Sequence, residues 1–384
     1  MIHLFFLMYG VYEMFIGVLN ESEKIENRVG LTPGGVSFLT GRGIQVSVQT
    51  GAGSRAGYSN EEYASQGAHI VFTAEEIFNR SDVVINISPL SDEECLLVKD
   101  GQILIGFHHL AVFDKNSLNL LLERGVTILG YEIIQKDSGV LPFIESLSEV
   151  AGQMCLFISG QYLQTVQGGR GILVGGVVTV PPATAVVVGS GVLARSAVRA
   201  LIGAGAHTIA LGRDMDNLRS LEEKTNGRLI TLIANRYNLS RMIKVADILI
   251  GAVLEPGEKA PVFVTRDMVA SMRKGSLVID LAIDQGGCIE TSRPTTLERP
   301  TYSEEGVIHY CVPNITSAVS RTSTKLLSNL ATPILDGIKT RGLGPLLKED
   351  ESLACGVYIY RGQVVKKKIA DLFGLPVKEL ASLL

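Results

Sequence analysis

The chain has 384 residues, of which 46% are hydrophobic and 19% charged, with a formal net charge of −4. That length exceeds one typical core and predicts two domains. The slight negative charge, with no basic cluster interleaved with aromatics and no Trp, excludes an electrostatically driven nucleic-acid binder. The cysteines Cys95, Cys155, Cys288, Cys311 and Cys355 are odd in number and lack a Cys-x-x-Cys pair. Reduced thiols in a cytoplasmic protein are therefore expected, with neither a disulfide framework nor a metal site.

Residues 1–12 are apolar but too short to cross a membrane, and they lack the basic start and cleavage site of a signal peptide. Met14 directly precedes a strand. Residues 1–13 therefore read either as a mis-called start or as an extension that packs on a subunit interface. Strands are predicted at Ile16–Leu19, Ile44–Gln49, Val83–Ile87, Ile103–Phe107 and Val126–Leu129. Helix patterns at Pro33–Leu39, Glu61–Gln66 and Leu118–Arg124 fill the gaps, the first with Thr32 as cap and Pro33 at its first position. This alternation predicts a parallel, doubly wound sheet.

A glycine-rich stretch, Gln167-Gly168-Gly169-Arg170-Gly171, then Gly175-Gly176 and Pro181-Pro182, separates this region from a second unit. The second unit opens on Ala185-Val186-Val187-Val188-Gly189-Ser190-Gly191-Val192-Leu193-Ala194. A buried strand, a Gly-x-Gly-x-x-Ala turn and an apolar helix pattern in this order are how a dinucleotide pyrophosphate is held. Gly189 permits the tight turn, Gly191 the approach of backbone to phosphate, and Ala194 the close packing of helix on strand. The helix N-terminus offers unpaired N–H groups to the anion. Further strands are expected at Thr208–Leu211, Leu229–Ile233, Ile248–Ala252 and Ser276–Ile283, then a long helix over Ser323–Ile338 and a polar tail. The fold class expected is α/β: two doubly wound Rossmann-like domains with parallel sheets. Residues 14–142 plus 319–384 form the substrate domain, residues 143–318 the dinucleotide domain, and the active site lies in the cleft between them.

Several motifs together resemble one family. In the first domain they are Arg28-Val29-Gly30-Leu31-Thr32-Pro33, Thr50-Gly51-Ala52-Gly53, His109-Leu110-Ala111 and Ser148-Glu149-Val150-Ala151-Gly152. In the second they are Gly251-Ala252-Val253-Leu254, Ala282-Ile283-Asp284-Gln285-Gly286-Gly287-Cys288, Ser292-Arg293-Pro294-Thr295-Thr296 and Tyr310-Cys311-Val312, with Arg321-Thr322-Ser323-Thr324 beyond. The chain resembles the bacterial L-alanine dehydrogenases, which share their fold with the first subunit of proton-translocating nicotinamide nucleotide transhydrogenase. The resemblance implies reversible joining of ammonia and pyruvate through an imine that a nicotinamide hydride reduces. It implies that Arg28 clamps the substrate carboxylate, a task suited to a planar guanidinium. It makes His109 the general acid/base, as imidazole titrates near neutrality. Asp284 becomes a carboxylate near the nicotinamide that stabilises an iminium, and Asn314 a neighbour of substrate and cofactor. Gly189 to Ala194 and Ala252 to Leu254 (Ala252, Val253, Leu254) hold the cofactor. Strand alternation directs only one of His108 and His109 toward the site, and the motif selects His109.

Two departures from the family pattern sharpen the expectation. Ser88, in Asn86-Ile87-Ser88-Pro89-Leu90, stands where the family has a lysine that holds the oxo acid, a charge-assisted bond of about 1.5–3 kcal/mol. Glu145, in Glu145-Ser146-Leu147, adds an acid where the family is neutral. Both favour a substrate carrying an amine or imine, or one larger than pyruvate. The second dinucleotide strand ends on Gly212-Arg213 where an acid would bind the adenosine ribose. Glycine leaves room for a 2′-phosphate and Arg213 can pair with it, so NADPH is expected over NADH. Asp214 follows and remains within reach of a ribose hydroxyl. The leading expectation is an NADPH-dependent amino-acid dehydrogenase or imine reductase. Alternatives are an authentic alanine dehydrogenase using pyruvate, a cyclodeaminase that recycles its cofactor, and a non-catalytic nucleotide sensor. The protein is expected to be a homo-oligomer, dimer or hexamer, with a small-molecule substrate and no membrane or nucleic-acid partner.

Overall fold

The structure, a computed structural model, describes residues 13–21, 26–253 and 260–384. They divide into two compact units, one containing the chain up to Ile144 together with Val319–Leu384, the other Glu145–Ala318. The strands run in chain order as follows. The first unit opens with β1 (Phe15–Val18), β2 (Gln45–Gln49), β3 (His69–Val71), β4 (Val83–Ile85), β5 (Ile103–Gly106) and β6 (Thr127–Gly130). The second unit holds β7 (Thr184–Val188), β8 (His207–Gly212), β9 (Leu229–Ile233), β10 (Ile248–Gly251), β11 (Leu277–Asp280), β12 (Thr301–Glu304) and β13 (Val307–Tyr310). The chain closes with β14 (Val357–Tyr360) and β15 (Gln363–Val364), which belong to the first sheet.

Both sheets are parallel through their centres, with order β15-β14-β6-β5-β4-β1-β2-β3 in the first and β12-β13-β11-β10-β7-β8-β9 in the second. The first strand of each unit sits mid-sheet and the chain winds outward from it twice. In each unit this creates a switch point, between β1 and β4 and between β7 and β10, where ligands bind in doubly wound sheets. The short β-branched runs suit such sheets because both faces are covered. In β7, Ala185 and Val187 enter one core cluster while Val186 and Val188 enter the opposite one.

Local signals explain most helix starts. Thr32 accepts the Gly35 N–H at 3.0 Å, and Ser59 with Glu62 forms a capping box. Among the described residues, no helix is long and apolar enough to cross a membrane.

The structure corrects four sequence expectations. The polar tail is not a tail: all four residues of β14 are buried and pair antiparallel with β6. The short β3 and the β12–β13 hairpin were not anticipated, β3 having three residues that begin on an exposed His. The strand expected over Ser276–Ile283 stops at Asp280, whose carboxylate takes the Ala282 N–H at 3.0 Å and starts a turn. The strand expected to reach Ile87 stops at Ile85, because the Ile87 N–H is taken by Glu21. The expectations for residues 1–12 and for Leu254 fall outside the described residues.

Candidate active site

In the second unit, β7 runs into Gly189 at φ +133°. A Cβ there would lie 2.3 Å from the Ala252 carbonyl oxygen that follows β10, so only glycine fits the turn. Gly191 is the N-cap of the helix Val192–Gly203, with no side-chain cap, and a Cβ on it would meet nothing within 4 Å. The first turn of that helix, at Val192 and Leu193, thus has no side-chain cap at Gly191, and uncapped helix N-termini are where anions bind. Ala194 is fully buried against the strand. The helix also lies close on residues 145–162, where a Cβ on Gly152 would come within 2.6 Å of the Leu193 carbonyl oxygen. Ala252 is buried and Val253 half-buried beside the Gly189 turn.

The adenosine end differs in detail from the sequence expectation. The space that a side chain at Gly212 would fill is not empty. A Cβ there would lie 2.8 Å from the Ser190 Cβ and Oγ. Asp214 is committed as the cap of the helix Met215–Lys224, accepting from the Asp216 and Asn217 N–H groups at 2.9 and 3.0 Å, while its other oxygen accepts from the Asn217 amide. Arg213 is exposed, with its guanidinium 5.3 Å from the centre of the Phe263 ring.

Asp284 and Asn314 are brought together. Asp284 lies not on β11 but in the 3-10 turn Ile283–Gln285, and its Oδ1 accepts the Asn314 N–H at 3.0 Å. Asn314 has φ +53°, a conformation asparagine tolerates well. The turn is anchored from below by Asp280. That buried carboxylate accepts from the N–H groups of Ala282, Cys288 and Ile289 at 3.0–3.2 Å. Burial pushes the Asp280 carboxyl up, against the Ser292 hydroxyl and these N–H groups, which pull it down. Glu145 is not a bare acid: Arg195 approaches it to 3.9 Å, and both are about one-third exposed.

In the first unit, polar side chains gather at the C-terminal ends of β1, β4, β5 and β6. Arg28 is buried with Glu26, which grips the guanidinium through Nε and Nη2 at 2.8 Å each. Thr324 and Ser328, on the helix Ser320–Arg341, accept the Val29 and Thr32 N–H groups at 3.1 Å and hold this segment down. Glu21, buried after β1, reaches across the switch point and accepts the Ile87 and Ser88 N–H groups, both at 2.5 Å. Ser88 thus carries a carboxylate on its backbone where the resemblance places a lysine.

The two histidines are cleanly separated. His109 is exposed and left-handed, with φ +46° and ψ +45°, a strained conformation for histidine that marks functional turns. Glu132, just past β6, holds that turn: its Oε1 accepts the His109 N–H at 2.7 Å, the His108 N–H at 3.2 Å and the Tyr358 hydroxyl at 3.1 Å. His108 is buried, and desolvation, reinforced by His109, pushes its imidazole down to about 3. His108 is therefore neutral near neutrality and unsuited to take up a proton there.

This burial has a consequence for stability. The unfolded imidazole titrates near 6.5 and the folded one near 3, so the unfolded chain binds the extra proton and stability falls as pH drops below 6.5. By this linkage, moving from pH 7 to pH 5 costs about 2 kcal/mol through His108 alone. Urea unfolding of wild type and His108→Gln at both pH values checks this. The variant is expected to lose that share of the acid sensitivity, and an identical pH dependence in both proteins would refute it.

Sequence reasoning missed Glu26, Glu132 and the clamp role of Glu21. The available signal was position: Glu21 and Glu132 follow β1 and β6, and Glu26 lies two residues before Arg28.

A Gly-rich turn at a switch point, an uncapped helix N-terminus, and an acid–amide pair following a parallel strand define a nicotinamide-dependent oxidoreductase. Comparison with known proteins narrows the class. The N-terminal domain model of the alanine dehydrogenase/PNT family matches residues 17–151 and the C-terminal domain model matches residues 155–367. The alanine dehydrogenase of Halomonas elongata is 38% identical over 371 residues, 97% of this chain and 100% of that protein. A solved L-alanine dehydrogenase superposes with a TM-score of 0.89 at 35% identity, covering 94% of this chain and 99% of that one. A transhydrogenase from Sinorhizobium meliloti shares the fold, with a TM-score of 0.77 at 22% identity over 92% of this chain and 99% of that one. The chain belongs to the alanine dehydrogenase/PNT family, and it is an oxidoreductase that acts on the C–N bond of an amino acid.

Proposed function

We propose that the chain is an L-alanine dehydrogenase, interconverting L-alanine with pyruvate and ammonia, and that it prefers NADPH. The observation that carries the catalytic part is His109, held exposed and left-handed by the Glu132 carboxylate at the end of a parallel sheet. Such a histidine can move a proton at the substrate oxygen or nitrogen as the imine forms or hydrolyses. The nicotinamide, when bound, supplies or accepts the hydride at C2. Arg28, oriented and partly neutralised by Glu26, holds the substrate carboxylate. Asp284 stabilises the iminium charge, and its bond to the Asn314 N–H fixes both residues. Gly189 to Ala194, with Ala252 and Val253, hold the pyrophosphate and ribose.

The preference for NADPH rests on the missing acid. Gly212 offers no carboxylate, Asp214 is engaged as a helix cap, and Arg213 is an exposed cation at the strand end. Steady-state kinetics with both cofactors tests this, and NADH used as well as NADPH would refute it. Installing the missing acid requires clearing the Ser190 Cβ, so the informative variant is Gly212→Asp with Ser190→Gly. One charge-assisted bond is worth about 1.5–3 kcal/mol, so the kcat/KM ratio should move toward NADH by about tenfold or more.

A second reading, reduction of a cyclic imine or of a larger oxo acid, is favoured by one observation. Ser88 stands where the family has a lysine, and its backbone N–H is held by the buried Glu21 carboxylate. Turnover of such substrates well above that of pyruvate with ammonia would establish it. We further propose that the chain self-associates through the exposed apolar face of the second unit. Phe157, Leu173, Val177, Val178 and Val180 are all more than half exposed there, and such a patch marks an interface. Light scattering reads the stoichiometry, and a monomer would contradict it.

A further inference from the structure

Tyr358 lies far from the candidate acid/base in sequence, on the antiparallel strand that the C-terminal segment adds to the first sheet. It is 7% exposed. Its ring lies against Gly130, where a Cβ would come within 2.3 Å of the Tyr358 Cε2, so the site is built to admit it. Its hydroxyl donates at 3.1 Å to Glu132 Oε1, the same oxygen that accepts the His108 and His109 N–H groups. Glu132 Oε2 is buried with no hydrogen-bond partner among the described residues. The grip on the histidine turn thus comes through one oxygen, and the direction of that oxygen is set by what else it bonds. Burial, then the nearby Glu132 charge, pushes the Tyr358 hydroxyl up, so it stays a donor at any pH the enzyme meets.

We infer that Tyr358 is a positioning residue for the reaction: by fixing the Glu132 carboxylate, it holds the His109 turn in its left-handed conformation. The inference rests on the reading of His109 as the acid/base. It gives one side chain of the C-terminal strand β14 a part in positioning the reaction. A conformation costly for histidine persists only when its surroundings over-determine it. Two consecutive N–H groups on one carboxylate oxygen, itself pinned by a third donor from another strand, supply that over-determination.

The test is a double-variant cycle in the full-length enzyme. Tyr358→Phe removes the hydroxyl and keeps the ring over Gly130. It is expected to lower kcat about tenfold while leaving the thermal midpoint, the cofactor Kd and the substrate KM within about twofold of wild type. Tyr360→Phe, on the same strand and with no bond to Glu132, serves as the control and should leave kcat unchanged. In a Glu132→Gln background, Tyr358→Phe should cost little further, because the tyrosine acts only through that carboxylate. An unchanged kcat in Tyr358→Phe, or a full additional loss in the Glu132→Gln background, would overturn the inference. The His109→Asn variant separates this from failure of the underlying reading. An active His109→Asn enzyme removes the acid/base assignment, whereas an inactive one beside a fully active Tyr358→Phe removes only the role of the tyrosine.

Discussion

His109→Asn is expected to lower kcat by about 10³-fold, within the 10²–10⁴ range that one positioned acid/base contributes, while leaving the fold intact. Asparagine tolerates positive φ better than most residues, so the +46° backbone at this position is kept. The N–H to Glu132 belongs to the backbone and survives. The ring is exposed, with Phe107 stacked at a centroid distance of 6.1 Å, so little packing is lost. The cofactor Kd should not move, since the dinucleotide turn lies in the other unit. Added imidazole should restore part of the rate. Steady-state kinetics, with calorimetry as the stability control, decides the matter. Turnover within tenfold of wild type would show that His109 carries no proton. A nucleotide sensor would have no turnover to lose, so the same variant separates an enzyme from a sensor.

The second large effect lies in the dinucleotide turn, where two glycines two residues apart should fail in different ways. Gly191 has φ −73°, which any residue adopts, and a Cβ there meets nothing within 4 Å among the described residues. Gly191→Val should therefore fold normally. Its side chain would occupy the space above the helix N-terminus, where the proposed pyrophosphate site lies. Losing one charge-assisted backbone bond costs about 1.5–3 kcal/mol, so the cofactor Kd should rise about 10- to 150-fold. Gly189 is different: at φ +133° and 2.3 Å from the Ala252 carbonyl oxygen, even Gly189→Ala forces the β7 and β10 ends apart. That variant should lose about 2 kcal/mol or more of stability in addition to its cofactor affinity. Titration by nucleotide fluorescence and urea unfolding read the two quantities separately. Unaltered cofactor binding in Gly191→Val would remove the pyrophosphate from this turn.

The same contrast explains how much the sequence reveals. The β7 turn is legible because its chemistry is local: strand, glycines and helix lie within ten residues. The βα alternation is legible for the same reason, and the parallel sheets follow from it. What the sequence hides is long-range. Glu21 meets Ile87 and Ser88 across a switch point, and Glu132 meets Tyr358 across 226 positions. No spacing rule joins such residues; only the strand order does. The β14–β15 hairpin is hidden because Val357-Tyr358-Ile359-Tyr360 is short and follows helices, so its partner β6 is not in view. Asp214 shows a local signal that the sequence carries: two and three residues before Asp216 and Asn217, it caps the helix that follows β8.

Ser88 and Gly212 were read as substitutions that alter specificity. The geometry gives each a neighbour that the sequence does not show, Glu21 for the first and Ser190 for the second.

The central claim is that this chain moves a hydride between a nicotinamide and C2 of an amino acid. The most direct measurement is transfer of deuterium from NADPH and from NADH, each deuterated at both C4 positions, to the product formed from pyruvate and ammonia, read by mass spectrometry. L-Alanine one mass unit heavier, labelled at C2, is the predicted result. Unlabelled alanine, or no alanine and no oxidised cofactor, would contradict it.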